Sequence, residues 1–309
     1  MSAVLVTGVG GPAGLSALKA LREAGIGPLV GVDANPRAAG REFCDRFQVV
    51  PPARDPRYLE ALWDVLQTAD VTVLLPTVDE ELLLLSAQRR GFALEGITLL
   101  TAPAPVLATA LDKHATAHAL GDPFVATWSL EEFPGGLPCV IKPRRGRGSR
   151  DVYVCEDAVS LAFYAPRVPD AIVQPYLVGP EFTVDTLYLP DRAFLFSAAR
   201  QRDGMRGGIT TQGVIRQDPA VLDVVNAAIS RLGVVGLSCT QVRFTPDGAP
   251  KIIEINPRVG GSSILTVLAG VNLPAMAVAA ARGDAVPEAA DLAVREIAFA
   301  RFFAEVIVN

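Results

Sequence analysis

Over the first hundred positions, short apolar runs alternate with stretches of helical period. Val4-Leu5-Val6-Thr7 has the pattern of a buried strand, and the turn Gly8-Val9-Gly10-Gly11-Pro12-Ala13-Gly14 follows it. An apolar-periodic helix is predicted from about Leu15 to Glu23, and a second strand at Leu29-Val30-Gly31-Val32-Asp33. Further strands are predicted at 71–76 and 97–100, with Thr77-Val78-Asp79-Glu80-Glu81 opening the helix between them. Strands and helices in alternation, joined by short turns, predict an open, doubly wound parallel sheet. Its ligand cleft falls at the strand C-terminal ends, near Gly8 to Gly11, Asp33 and Asp79. Ala102-Pro103-Ala104-Pro105 punctuates the chain and marks a boundary, giving an N-terminal domain at 1–105 and a second domain at 106–309.

Past that boundary the period changes to two. Pro138-Cys139-Val140-Ile141-Lys142-Pro143 reads as a strand ending in a lysine, and Val152-Tyr153-Val154 as the returning strand. The connection Arg144 to Asp151 is a basic glycine- and serine-containing flap. Gly146 and Gly148 let backbone N–H groups approach phosphates, Ser149 offers a hydroxyl, and Lys142 and Arg147 bring charge. It is no Walker loop, because no Gly-Lys-Ser/Thr precedes a helix. Ile172 to Leu177 reads as a strand turning at Val178-Gly179-Pro180. Glu181 to Asp185, Leu195 to Ala199 and Gln241 to Phe244 read as an antiparallel sheet. The last strand of that sheet is Lys251-Ile252-Ile253-Glu254-Ile255-Asn256, followed by Pro257-Arg258. Glu254 and Asn256 are two apart and share a face, which turns Ile253 and Ile255 toward a core. Two hard oxygen ligands on one face suit Mg²⁺, and Arg258 suits an anionic acyl or phosphoryl group.

The chain has 309 residues and a net charge of −5. The acidic balance argues against a general nucleic-acid surface. No uninterrupted apolar run reaches membrane-spanning length. The most apolar part, 264–281, is broken by Gly270, Asn272 and Pro274 and reads as buried helix and turn. Without a signal-peptide pattern, and with Cys44, Cys139, Cys155 and Cys239 scattered, the expectation is a cytoplasmic protein with reduced thiols. His114 and His118 stand four apart but have no third ligand nearby, so they do not read as a metal site.

The order of these parts resembles the ATP-grasp superfamily, specifically its carbamoyl-phosphate-synthase-like branch. That order is a lysine-ended strand, a basic glycine flap, Gln174-Pro175-Tyr176-Leu177, Glu181 and the Glu254-Ile255-Asn256-Pro257-Arg258 strand. The resemblance implies an α/β and α+β architecture. A doubly wound N-terminal domain precedes a grasp fold made of a small lid, about 115–175, and a larger antiparallel sheet. It implies that Lys113, Lys142, Arg147, Gly148 and Ser149 hold nucleotide phosphates. Gln174, Pro175, Tyr176 and Leu177 then hold adenine, and Glu181 the ribose. Gln241, Glu254 and Asn256 become ligands of Mg²⁺ (Mn²⁺ would also serve), and Arg258 and Lys142 the catalytic cations.

Gly10, Gly11, Asp79, Arg200, Arg216, Gly260, Gly261 and Ser262 are then candidates for contact with a small carboxylate and an amine. The implied reaction is ATP-dependent amide formation through an acyl-phosphate, on an amino-acid-like substrate, with no nucleic-acid or membrane partner. A homodimer is the assembly expected on general frequency. Two positions depart from the pattern: Gln241 is neutral where a carboxylate is usual, and Asp151 stands where the flap usually has glycine. Two other readings are a nicotinamide oxidoreductase using Gly8 to Gly14 with Asp33, and a non-catalytic ATP-binding module.

Overall fold

The computed structural model describes residues 2–146, 148, 150–302 and 304–307. The N-terminal sheet is formed by β1 (Ala3–Thr7), β2 (Leu29–Asp33), β3 (Arg46–Val49), β4 (Val71–Leu75) and β5 (Thr98–Leu99). All pairings are parallel and the order is β3-β2-β1-β4-β5, the doubly wound sheet expected. The strand order reverses at β1, between β2 and β4, which is where such sheets open a crevice. Helices α1 (Pro12–Glu23), α2 (Tyr58–Thr68), α3 (Asp79–Ala87) and α4 (Arg89–Leu94) accompany these strands. Helix α1 begins at Pro12 rather than Leu15, because proline at the first turn gives up an N–H that has no helical partner anyway. Strand β3 was not legible from periodicity. It is an edge strand, exposed along most of its length, and it buries no apolar stripe.

Helices α5 (Ala104–Ala110) and α6 (Lys113–Leu120) lead to a four-stranded sheet. It comprises β6 (Trp128–Ser129), β7 (Cys139–Pro143), β8 (Tyr153–Cys155) and β9 (Ala171–Pro175), in the order β6-β9-β7-β8. Helix α7 (Ala158–Tyr164) packs on it, with Cys139, Ile141, Cys155 and Val173 as its small core. Helix α6 lies outside this sheet and contacts the larger one.

The larger sheet is antiparallel. Its strands are β10 (Glu181–Leu189), β11 (Phe194–Arg206), β12 (Ile209–Ile215), β13 (Gly236–Phe244), β14 (Pro250–Asn256) and β15 (Ile297–Ala300), ordered β14-β13-β10-β11-β12-β15. On one face, Val184, Val242, Ile252 and Ile255 pack against Val221, Val225, Ala228 and Ile229 of α8 (Pro219–Leu232). The sequence alternation put Ile253 and Ile255 in that core. Ile252 and Ile255 are its buried members from β14 and Ile253 packs against it partly buried, because a bulge at Ile253 shifts the phase: Gln241 pairs with Glu254, but Val242 pairs with Ile252. Glu254 and Asn256 lie beyond the bulge.

Helices α9 (Ile264–Leu268) and α10 (Leu273–Arg282) dock the larger sheet on the N-terminal domain. Leu18 and Leu21 of α1 share one core with Leu187, Leu237, Leu273 and Met276. The Ser16 hydroxyl accepts the Ile264 N–H at 2.7 Å, and the Asn272 amide donates to Ala20 O at 2.7 Å.

The opposite face of the larger sheet is polar, so its charges must be matched. Arg200, 1 % exposed, pairs with Asp185. Asp185 also accepts from Ser263 Oγ at 2.9 Å and Thr266 Oγ1 at 2.8 Å. Asp185→Ala is expected to cost about 3–5 kcal/mol in urea unfolding, because it strands a buried guanidinium. Replacing Asp185 and Arg200 together by leucine should cost clearly less. Equal costs for the single and double variants would contradict this account.

Candidate active site in the cleft between the sheets

Lys113, Lys142 and Glu254 converge where β7, β14 and the start of α6 meet. Lys113 Nζ lies 3.7 Å from Glu254 Oε1 and donates to Gly146 O at 3.2 Å. Lys142 is 7 % exposed, and among the described residues its amine makes one hydrogen bond, a long one of 3.4 Å to Ile253 O at the bulge. Burial pushes the Lys142 amine down to about 8; Glu254 opposes that shift and Lys113 adds to it. An ammonium has three N–H donors. One buried beside a second amine, with a single weak acceptor, is prepared for an anion.

The flap is tied down at its base by Asp112. Asp112 caps α6 through the Ala115 N–H at 2.9 Å and accepts from Arg144 Nε at 2.7 Å and Arg145 Nη2 at 2.8 Å. Sequence reasoning passed over Asp112, although an aspartate just before a helical stretch is an N-cap signal. Arg147 and Ser149 lie outside the described residues. Gly148 has φ +65° and open space around it. Asp151 has φ +55°, a conformation that glycine adopts freely, which accounts for glycine being usual there.

At the hinge, Gln174 is buried and donates to Thr127 Oγ1 at 2.9 Å. Pro175 pairs with Cys139, and Tyr176 N–H donates to Pro138 O at 3.1 Å. Leu177 N–H has no hydrogen-bond partner among the described residues. Glu181, expected to meet a ribose, already accepts from Arg202 Nη1 at 2.7 Å, and Arg243 lies 3.8 Å away. Arg202 also donates to Gly208 O at 2.8 Å. Arg200 is likewise committed, to Asp185, and is not open to a ligand. Arg216 is exposed at the end of β12.

Toward the N-terminal domain, Arg258 forms a two-pronged ion pair with Asp79, at 2.6 and 3.0 Å. It also donates to Asn256 Oδ1 at 3.3 Å. Burial opposes the charge, but Asp79 outweighs it and holds the guanidinium above its usual value. Asp79 starts α3, and Glu81 fixes that turn. Buried Glu81 accepts from the Thr77 and Val78 N–H groups at 3.1 and 3.0 Å, and from the Thr7 and Tyr58 hydroxyls. The loop after Arg258 fits only because it lacks side chains. A Cβ on Gly260 would meet Cys239 Sγ at 2.7 Å, and one on Gly261 would meet Pro12 Cβ at 3.0 Å. Gln241 faces Glu254 across the strand pair. Gln241, Glu254 and Asn256 therefore offer one carboxylate and two carboxamides, and among the described residues no cluster of three His, Cys, Asp or Glu side chains could hold a metal.

The glycine turn of β1 spends three of its N–H donors internally. Gly10 N–H donates to Asp33 Oδ2 at 2.7 Å, Gly11 N–H to Gly8 O at 2.9 Å and Val9 N–H to Val32 O at 3.3 Å. Asp33 is occupied by Gly10 and Asn35.

A doubly wound domain, a small sheet and a larger antiparallel sheet thus meet around two buried lysines. Residues 4–100 match the family model described as "PylC-like, N-terminal domain". Residues 167–300 match "ATP-grasp in the biosynthetic pathway with Ter operon". The second of these models is an ATP-grasp model, and it covers the larger antiparallel sheet of this chain. It is similar to the L-amino acid ligase from Bacillus licheniformis, with a TM-score of 0.75 at 16 % identity, covering 94 % of this chain and 76 % of that one. It is 30 % identical over 149 residues to the uncharacterized protein y4rH of Sinorhizobium fredii, covering 41 % of this chain and 29 % of that protein. It is 27 % identical over 161 residues to a D-alanine–D-alanine ligase of Anaeromyxobacter sp., covering 47 % and 52 %. The chain thus spans about half or less of the length of these two curated relatives.

The depressed Lys142 value fixes the sign of a pH effect. Between about pH 8 and 10.5 the unfolded chain binds more protons at this lysine than the folded one, so stability should rise with pH across that window. Below pH 8 the folded protein bears the cost of a buried ammonium, on the order of 3 kcal/mol. Lys142→Met should therefore be more stable than the parent at pH 7, with the gap narrowing toward pH 10. Denaturant unfolding across pH checks this, and a gap that widens with pH would refute it.

Proposed function

We propose that the chain is an ATP-dependent carboxylate–amine ligase that activates a small amino-acid-like acid as an acyl-phosphate. The observation that carries this reading is the pair of buried amines around Glu254, in particular Lys142 with its single weak hydrogen bond. Lys113 and Lys142 hold phosphate oxygens, and the flap from Arg144 to Asp151 covers them, drawn from a base anchored at Asp112. Pro175 O and Leu177 N–H receive the adenine edge. Glu254, with Gln241 and Asn256, would hold Mg²⁺, which neutralises phosphate charge when bound. This donor set is hard oxygen, as that ion requires, but it has one carboxylate and needs phosphate oxygens to complete it. Arg258 leaves its pairing with Asp79 to meet the reacting carboxylate and the charge that develops on it. Catalysis by positioning and charge neutralisation needs no side-chain nucleophile.

The neutral Gln241 favours one second reading, a module that binds ATP without turning it over. Phosphate release in the presence of acids and amines separates the two. Among the described residues no helix is long and apolar enough to cross a membrane.

Mg-ATP at one hundred times its Kd should stabilise the protein by about 2.7 kcal/mol, a melting shift of roughly 5 °C or more. The shift should shrink with a chelator present and be lost in Glu254→Ala. A shift with NAD(P)H and none with Mg-ATP would overturn the reading.

A further inference from the structure

On the charged sheet face most cations have a carboxylate: Arg200 has Asp185, Arg202 and Arg243 have Glu181, Lys113 has Glu254 and Arg258 has Asp79. Arg301 differs. It follows β15, which adds to the edge of the sheet by pairing with β12, and its backbone N–H donates to Thr211 O at 2.8 Å. Ile297, Phe299 and Arg301 are half-buried, while Ala298, Ala300 and Phe302 between them are exposed, so the guanidinium turns inward. Its side-chain partners are Gly261 O at 3.3 Å and Ser262 Oγ at 3.0 Å. Among the described residues it has no carboxylate partner.

The surroundings make this charge uncomfortable. Burial, and then the positive charge of Arg200, push Arg301 below its usual value. Arg200 does not relieve it, because Asp185 is already shared among Arg200, Ser263 and Thr266. Arg200 Nε is itself buried without a hydrogen-bond partner. A half-buried guanidinium thus sits against the Gly260–Ser263 loop. That loop begins two residues after Arg258 and lies against Pro12 of the N-terminal domain.

We propose that Arg301 anchors a second carboxylate, distinct from the one activated at Arg258, at the Gly261–Ser262 loop. This inference rests on the ligase reading above. The chemistry is the same whether that carboxylate belongs to the acid substrate, as in a dicarboxylic acid, or to the amine, as in an amino acid acceptor. Ser262 Oγ and Gly261 contribute polar groups beside it, and the planar fork of Arg301 gives two-point recognition. A carboxamide in the same place would offer no charge and only one acceptor.

The test is Mg-ATP-dependent phosphate release with matched probes: succinate against succinamate as acids, and L-alanine against L-alaninamide as amines. The wild type should prefer the carboxylate member of one pair by about thirtyfold in kcat/KM, with most of the effect in KM. Arg301→Gln should lose that preference, and Arg301→Lys should recover part of it. The pair that discriminates identifies which substrate carries the second carboxylate. A purely structural role for Arg301 would lower all four rates together and leave the preference intact, which overturns the proposal.

If no pair turns over, binding decides. In Mg-ADP-loaded protein, succinate or L-alanine should raise the melting temperature of the wild type and not of Arg301→Gln. Equal behaviour of the two proteins refutes the anchor. A wild type that shows no Mg-ATP shift at all refutes the ligase reading instead, so the two failures are distinguishable.

Discussion

The structure depends on one electrostatic constraint: a sheet face crowded with guanidinium and carboxylate groups has to be closed over by other parts of the chain. An unpaired ion taken out of water is far more costly than a paired one. Most ions there are therefore matched within the sheet, as Arg200 is with Asp185 and Arg202 with Glu181. The matching reaches across domains at Arg258, whose partner Asp79 comes from the first turn of α3. That pairing is possible only because α1 and α10 share a core with the ends of β10 and β13, which fixes the distance between the two sheets. Apolar packing thus sets the frame, and charge matching decides which groups remain free for ligands.

Two kinds of incompleteness survive. Lys142 has too few acceptors and Arg301 has no carboxylate. They lie at opposite ends of the polar face, one beside the flap and the other beside the glycine–serine loop, and Arg258 lies between them along the chain path from Glu254 to Gly261.

Much of the fold was legible in the sequence, because burial writes itself into period. The runs at Val4, Leu29 and Val71 read directly as buried parallel strands, and strand-end chemistry singled out Lys142, Glu254 and Arg258, whose side chains the fold brings to the cleft. What escaped had no such imprint. Strand β3 buries no stripe. The bulge at Ile253 is a property of pairing between β13 and β14, so alternation along β14 alone missed that Ile252 is buried in the core as well. Arg200 read as a ligand contact because its partner Asp185 is fifteen residues away and visible only once β10 and β11 are paired. Arg301 has a weak signal, the alternation of Ile297, Phe299 and Arg301, but nothing in one dimension ties it to Ser262. The internal bonds of the Val9, Gly10 and Gly11 N–H groups were equally hidden, since the fingerprint does not say where such groups are spent.

The bulge at Ile253 also bears on how this strand tolerates change. It divides β14 into two stretches whose side-chain phases are independent. A one-residue insertion or deletion in the turn at Pro246–Gly248 can be absorbed before the bulge, leaving Glu254 and Asn256 facing the cleft. The length of the hairpin tip is therefore uncoupled from the facing of the half-strand that carries Glu254 and Asn256.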